Sequence, residues 1–258
     1  MRFYVGIQVE SYRLTAYLDE ALFNELNGHT LKTLPALSGV LLFTITSLLA
    51  QTDSTTRPDP LEPGSHSFAR PNEAIIRHLD LDLNVDFQKK VIVGKASLFF
   101  QNKSGTDKLF LDTRGLTIRR VTLEQKNLKT SFRLGEPSPR LGQALIIDIL
   151  PNTKLVHVWY ETTEGADALQ WLTPAQTAGG QLPFLFTQSQ AILARTWVPC
   201  QDDPRVRMTY RAKVKVPPGM LALMSAQNPT RKSKNGVYEF HMPQPIPSYL
   251  LALAVGDI

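Results

Sequence analysis

The chain has 258 residues, of which 43% are hydrophobic and 20% are charged, a balance that excludes the disordered and fibrous classes of protein. Its formal net charge of +5 comes from scattered basic residues without a nucleic-acid-binding motif, so we expect no nucleic-acid partner. A single cysteine, Cys200, excludes an intramolecular disulfide.

An apolar run, ALSGVLLFTITSLLA, occupies residues 36–50, with Lys32 before it and the small residue Ala50 at its end. This pattern is typical of a signal peptide cleaved near Ala50 and predicts a secreted or periplasmic protein. The alternative is a membrane anchor, because the run is just long enough to span a bilayer.

Residues 1–30 do not resemble the basic segment that normally precedes such a run, since they carry four acidic residues and two arginines. Leu31 and Lys32, followed by the apolar run, would make an ordinary signal sequence. One hypothesis is therefore that translation starts at Leu31. We assign 1–50 to an N-terminal extension with a signal-like segment and the Pro-, Ser- and Thr-rich stretch 51–71 to a linker.

From residue 72 onward the pattern predicts β-strands. In 77–87, RHLDLDLNVDF, apolar and polar side chains alternate, which indicates a strand with one buried face. A short turn then leads into 91–100, so we expect a hairpin. Further strands are predicted at 108–112, 116–123, 131–134, 144–149, 154–160, 208–216, 236–242 and 248–256. No long helical period appears, so residues 72–258 are predicted to form an all-β domain of sandwich or curved-sheet type.

The usual catalytic and metal-binding motifs are absent from the sequence. Its five histidines are scattered, and none begins the H-E-x-x-H pair that holds zinc on a helix. There is no G-x-S-x-G motif. Asp202 and Asp203 precede Pro204, a pattern that favours a turn or cap. We therefore assign no catalytic residue and no metal ligand.

The stretch PFLFTQSQA, residues 183–191, differs from the other strand patterns. If it is a strand, Phe184, Phe186, Gln188 and Gln190 share one face. Two aromatic rings followed by two amides suit the edge of a ligand pocket, with an apolar floor and polar acceptors. The alternative is an exposed amide pair on a strand edge.

Several segments resemble the N-terminal domain of the M1 zinc aminopeptidases, in the branch of leukotriene A4 hydrolase and its bacterial relatives. They are residues 66–87, 183–217, 216–226 and 246–258, and the Q-x-Q-A and W-x-P-C-Q-D runs are specific to that branch. The resemblance implies a large, twisted, saddle-shaped all-β domain that ends slightly short here. It also implies a zinc-bearing catalytic domain, which is absent from this sequence. We therefore expect an aminopeptidase fragment that by itself is inactive and binds no zinc.

The resemblance also implies which residues meet the substrate. Gln190 matches an amide that binds the free α-amine of a peptide, Gln188 matches a neighbouring amide of the same pocket, and Ala191 lies at its edge. A neutral amide oxygen can accept a charge-assisted hydrogen bond from an ammonium group. The expected function is the substrate-pocket domain of a zinc aminopeptidase that releases N-terminal residues from peptides. Hydrolysis of a lipid epoxide by the same enzyme stays open. The alternative is a stand-alone β-sandwich binding module at the cell surface.

Overall fold

The computed structural model describes residues 66–258. Residues 1–30, the signal-like run near 31–50 and the linker up to residue 65 lie outside the described residues. None of the helices within 66–258 has the length and apolarity that crossing a bilayer requires. The strands are β1 Ala74–Asp86, β2 Val91–Asn102, β3 Lys108–Thr113, β4 Thr117–Leu123, β5 Leu128–Lys129, β6 Phe132–Leu134, β7 Gln143–Asp148, β8 Leu155–Glu161, β9 Leu169–Leu172, β10 Phe184–Thr187, β11 Arg207–Lys215, β12 Leu221–Met224, β13 Val237–Pro247 and β14 Leu253–Gly256.

The largest sheet has seven strands in the order β13-β11-β1-β2-β8-β4-β5. The first strand, β1, pairs with β2 as an antiparallel hairpin and with β11 in parallel. The alternation of apolar and polar residues in 77–87 fits a strand of this sheet with one face packed against the core. Leu79, Leu81, Leu83 and Val85 are buried, while the side chains between them face the other side of the sheet. The all-β prediction and the predicted hairpin are confirmed.

Two smaller sheets complete the domain. A four-stranded sheet has the order β12-β14-β10-β9, and a three-stranded sheet has the order β3-β7-β6. Buried side chains from all three sheets form one hydrophobic cluster, which includes Leu79, Leu111, Tyr160, Leu185 and Val255. The sheets therefore share a core, in which the strands of the candidate site are firmly held.

The structure differs from the sequence-based assignment in short elements. The predicted strand 248–256 is divided, because a 3₁₀ turn, Ser248–Leu250, precedes β14. Two further 3₁₀ turns, Pro174–Gln176 and Ala194–Thr196, were not predicted. The sequence also did not predict β5, β9 and β12, which have two to four residues each and show too few alternations to stand out.

The packed part of the chain includes residues that the sequence analysis placed in the linker. Ser67 and Ala69 are already buried. The Ser67 hydroxyl donates a hydrogen bond of 2.5 Å to Asp112 Oδ2, at the end of β3. This contact ties the start of the described chain to the three-stranded sheet.

Candidate functional site

The two glutamines lie just beyond β10, which ends at Thr187. The alternation of side-chain exposure nevertheless continues past the strand: Thr187 and Ser189 are buried, whereas Gln188 and Gln190 are exposed. Ala191 is exposed as well. The pattern correctly predicts that the glutamines face the same way, although the strand itself ends earlier than the pattern suggests.

Ser189 anchors this segment between the two exposed amides. Its hydroxyl donates a hydrogen bond of 2.7 Å to the carbonyl oxygen of Leu251 and accepts one of 3.0 Å from the indole nitrogen of Trp197. Ser189 and Trp197 are both buried. The backbone at Gln190 is therefore fixed by a buried neighbour, and its own side chain stays available to a ligand.

An open pocket of about 410 Å³ lies beside this segment. Gln190 and Ala191 line it, whereas Gln188 is exposed and does not line this pocket. The lining residues are His66, Arg140, Gln190, Ala191, Ile192, Pro204 and Tyr249. Ala191 and Ile192 give an apolar wall next to a polar amide, an arrangement common in small-ligand sites.

The Gln190 amide is available to a ligand. Within residues 66–258, its side chain makes no hydrogen bond to another residue. It therefore presents a carbonyl oxygen as an acceptor and an NH₂ group as a donor toward the pocket. A ligand ammonium at this position would gain a charge-assisted hydrogen bond from the carbonyl oxygen.

One wall of the pocket carries a small charged group. His66 Nε2 lies 3.6 Å from Asp203 Oδ2 and makes no hydrogen bond to any residue within 66–258. Arg205 binds the same carboxylate through its Nε at 3.0 Å and its Nη2 at 2.6 Å. Burial opposes ionisation of Asp203, but the Arg205 bonds outweigh it and hold the pKa of this carboxyl below its ordinary value.

The predicted turn role of Asp202 and Asp203 holds for only one of them. Asp203 Oδ1 accepts a hydrogen bond from the Arg205 backbone nitrogen, as in an Asx turn. Asp202 is instead buried and forms an ion pair of 2.9 Å with Arg195 Nε. The predicted turn role of Asp202 is wrong, because its partner Arg195 is brought to it by the tertiary fold and the local pattern Asp-Asp-Pro does not reveal that pairing.

The W-x-P-C-Q-D run joins the three-stranded sheet to β1. The backbone nitrogen of Asp112 donates to the carbonyl oxygen of Cys200 at 2.7 Å. The Gln201 side chain accepts from the Ile76 nitrogen and donates to the Ala74 carbonyl, so it takes the place of a partner strand at that end of β1. This run therefore has a structural role.

Cys200 is a fully buried thiol. Burial raises its pKa well above the usual range of a thiol, and the carboxylates of Asp202 and Asp112 act in the same direction. The thiol therefore stays protonated and has no role as a nucleophile.

The described residues do not fit a zinc site. No three histidine, cysteine, aspartate or glutamate side chains converge anywhere within 66–258. A catalytic zinc in a protein is held by about three such ligands. We therefore derive no catalytic step through a metal held by this part of the chain.

The described residues form an all-β domain with an open pocket beside Gln190, and comparison with known proteins identifies the family. Residues 76–250 match the family model described as the peptidase M1 N-terminal domain. The match covers more than half of the chain, so the chain belongs to this family.

Curated relatives agree with this assignment. The chain is 39% identical over 204 residues to leukotriene A-4 hydrolase of Xenopus laevis. The aligned region covers 74% of this chain and 33% of that protein. It is 37% identical over 206 residues to aminopeptidase B of Rattus norvegicus, covering 71% of this chain and 31% of that protein. The chain thus spans about a third of the length of these relatives.

Solved structures show the same fold. The structure of yeast LTA4 hydrolase in complex with bestatin matches with a TM-score of 0.69 and 30% identity, over 78% of this chain and 31% of that one. An M1 zinc metallopeptidase from Deinococcus radiodurans, bound to a Tyr-Ser-Ala substrate, matches with a TM-score of 0.55 over 71% of this chain and 42% of that one. At 20% identity, this second likeness shows the fold alone.

The sequence analysis missed most of the pocket. His66, Arg140, Pro204 and Tyr249 were not assigned to any site, because they come from segments far apart in the chain. It also missed Arg195, the fully buried cation behind the pocket. The only signal for Arg195 is a charged residue inside the apolar run AILARTWVPC, residues 191–200.

Proposed function

We propose that this chain supplies part of the pocket that binds the peptide amino terminus in an M1-type zinc aminopeptidase. The observation that carries this proposal is the position of Gln190, an exposed amide at the edge of an open pocket with Ala191 and Ile192 as its apolar wall. Gln190 accepts a hydrogen bond from the ammonium group of the substrate. Gln188 contributes less, because it lies beside the pocket rather than on it.

The zinc and the groups that activate water come from outside residues 66–258. Relatives whose structures are described as zinc metallopeptidases support this division, since their chains are longer than the matched region. The substrate of the complete enzyme is a peptide with a free amino terminus. The β domain binds and orients that terminus, and it supplies no group that takes or donates a proton in the reaction.

The partner of this domain is the catalytic part of the enzyme. An apolar surface is available for it: Phe186 is 38% exposed on β10 and Leu250 is 48% exposed just before β14. Burial of such side chains against a second domain stabilises it by roughly 25 cal/mol for each Å² covered.

We propose that this protein is secreted or periplasmic, because residues 31–50 have the pattern of a signal peptide; a membrane anchor is the alternative. N-terminal sequencing of the protein from fractionated cells tests this proposal. A mature terminus close to Gln51 in the secreted fraction supports it, and an intact 1–50 segment in the cytosol contradicts it.

The test of the pocket is the substitution Gln190→Ala in an active chimera. In this chimera, residues 66–258 replace the matching segment of a related M1 aminopeptidase. The lost contact to a charged group contributes roughly 1.5–3 kcal/mol, so we expect kcat/KM for a peptide with a free amino terminus to fall by about one to two orders of magnitude.

Gln188→Ala is the matched control, because it removes a neighbouring exposed amide that does not line the pocket. We expect it to change kcat/KM less than Gln190→Ala does. Zinc content and melting temperature should be the same in all three proteins. If Gln190→Ala leaves kcat/KM within about a factor of two with the fold intact, the proposed role of Gln190 is withdrawn.

A further inference from the structure

The walls of the pocket come from five separate segments of the chain. They are the segments that carry His66, Arg140, the 190–192 turn, Pro204 and Tyr249. A pocket assembled in this way needs something that fixes its walls relative to one another, because each loop would otherwise move on its own. A buried polar network lies behind these segments and contacts nearly all of them.

Arg195 is the centre of this network and is fully buried. Its Nη2 donates to the His66 carbonyl oxygen at 2.8 Å, and its Nη1 donates to the carbonyl oxygen of Leu141, next to Arg140, at 3.1 Å. Its Nε binds Asp202 Oδ2 at 2.9 Å. One guanidinium thus holds two walls of the pocket and the segment that leads to Pro204.

The carboxylates carry the network further. Asp202 Oδ1 accepts a hydrogen bond of 2.5 Å from the Ser248 hydroxyl, and Ser248 precedes the wall residue Tyr249. Asp112 Oδ1 lies 3.5 Å from Arg195 Nη1, and Asp112 Oδ2 accepts from the Asp202 nitrogen at 2.8 Å. Ser248, Asp202 and Asp112 are all buried.

The remaining wall is connected through Ser189. Its hydroxyl donates a hydrogen bond to the carbonyl oxygen of Leu251, two residues after Tyr249. Arg195 itself follows the 190–192 turn in the chain. Every wall residue therefore either belongs to a segment that this network binds or lies within a few positions of one. Stability alone does not require the charges, since a buried ion pair is often no more stabilising than an apolar replacement.

We propose that Arg195 is the positioning residue of the pocket: its fork of donors sets the distance between the walls that receive the peptide amino terminus. Only arginine can do this, because lysine offers a single charged nitrogen and cannot reach two carbonyl oxygens and a carboxylate at once. The consequence for substrate rests on the proposed function, whereas the effect on pocket geometry does not.

The test is amide hydrogen exchange on the complete 258-residue chain, with no ligand present. In Arg195→Lys we expect the amides of Leu193 and Leu251, which bond to the Ser189 and Ser248 carbonyls, to exchange at least about tenfold faster. The amides of Leu81 and Ala96, which face each other within the large sheet, should change less than about twofold.

If Arg195→Lys does not fold, the milder variant Ser248→Ala tests the positioning role of Arg195 instead. It removes one buried hydroxyl of the network and should speed exchange at Leu251 while leaving Leu81 unchanged. Tyr160→Phe is its matched control, since the Tyr160 hydroxyl is buried without a hydrogen-bond partner in the described part of the chain and lies outside the network. It should change none of these amides.

Uniformly faster exchange at all sites, or no change at Leu193 and Leu251, would overturn the proposal, since Arg195 would then act on global stability or not at all. The outcome is independent of the substrate assignment. If exchange loosens selectively but Gln190→Ala leaves turnover intact, the positioning role stands and the proposed function fails. If exchange does not loosen selectively but Gln190→Ala lowers turnover, the positioning role of Arg195 is rejected and the proposed function stands.

Discussion

At the scale of single residues, the outer side of the large sheet holds a buried histidine. His157 on β8 faces Ser97 on β2, and its Nδ1 lies 2.8 Å from the serine hydroxyl. Burial, together with the positive charge of Lys95, lowers the pKa of His157 below its ordinary value. The folded protein therefore resists protonation at a site that the unfolded chain protonates freely.

This residue predicts a pH dependence of stability. Because the folded pKa is lowered, the unfolded chain binds more protons as the pH falls below about 6.5, and the folded state loses stability there. We expect urea midpoints to fall between about pH 7 and pH 5, and His157→Gln to reduce that fall. His241→Gln, at an exposed site on β13, is the control. Equal pH dependence in wild type and His157→Gln would reject this assignment.

At the scale of elements, β10 and β14 pack through a glycine. A Cβ atom at Gly256 would lie 2.3 Å from Cδ2 of Phe184, so the ring occupies the space above the glycine. Phe184 lies on the same strand as Phe186, with ring centroids 6.1 Å apart. Strand β14 therefore needs a glycine at its last position, because a side chain there would collide with Phe184 on β10, the strand that leads to the pocket.

Gly256→Ala should therefore destabilise the domain, because the half-buried Phe184 ring must move away from its place against Gly256. We expect a loss of about 1–3 kcal/mol in the free energy of unfolding, measured by urea titration. Gly165→Ala is the matched control, since a Cβ there would meet no atom within 4 Å. A Gly256→Ala protein as stable as the Gly165→Ala protein would contradict the packing argument.

At the scale of the whole molecule, the apolar surface around Phe186 and Leu250 predicts self-association. Large exposed apolar side chains next to a sheet favour contact between copies when no other domain covers them. We expect purified 51–258 to associate as its concentration rises in analytical ultracentrifugation. The double substitution Phe186→Ser and Leu250→Ser should reduce association more than Leu134→Ser, which changes an exposed leucine on a different sheet. A monomer at all micromolar concentrations would refute this.

The metal content of the chain is a second prediction for the molecule as a whole. The described residues bring no three metal-ligating side chains together, and a catalytic zinc needs about three. Elemental analysis of the complete chain, beside a chelator-treated sample, should therefore find no stoichiometric zinc, and an assay of peptide hydrolysis should find no aminopeptidase activity. One tightly held zinc per chain would contradict this prediction.

Local pattern was enough to predict most of the strands. In β1 and β11, the alternation of apolar and polar residues appears in the sequence and again in the burial of the strands. The shortest strands were missed, since β5 has only two residues and β9 and β12 have four each. Their position is set by pairing with neighbours rather than by their own sequence.

The sequence by itself determined the all-β class, the shared direction of Gln188 and Gln190 and, through its resemblance, the family. These follow from side chains that are close together in the chain. Only the tertiary structure decided the pocket and its support: Arg195 binds the carbonyl of His66, 129 residues away, and Ser248 binds Asp202, 46 residues away. Contacts over such separations leave no periodic trace in the sequence, because they depend on how the sheets pack and not on the order of neighbouring residues.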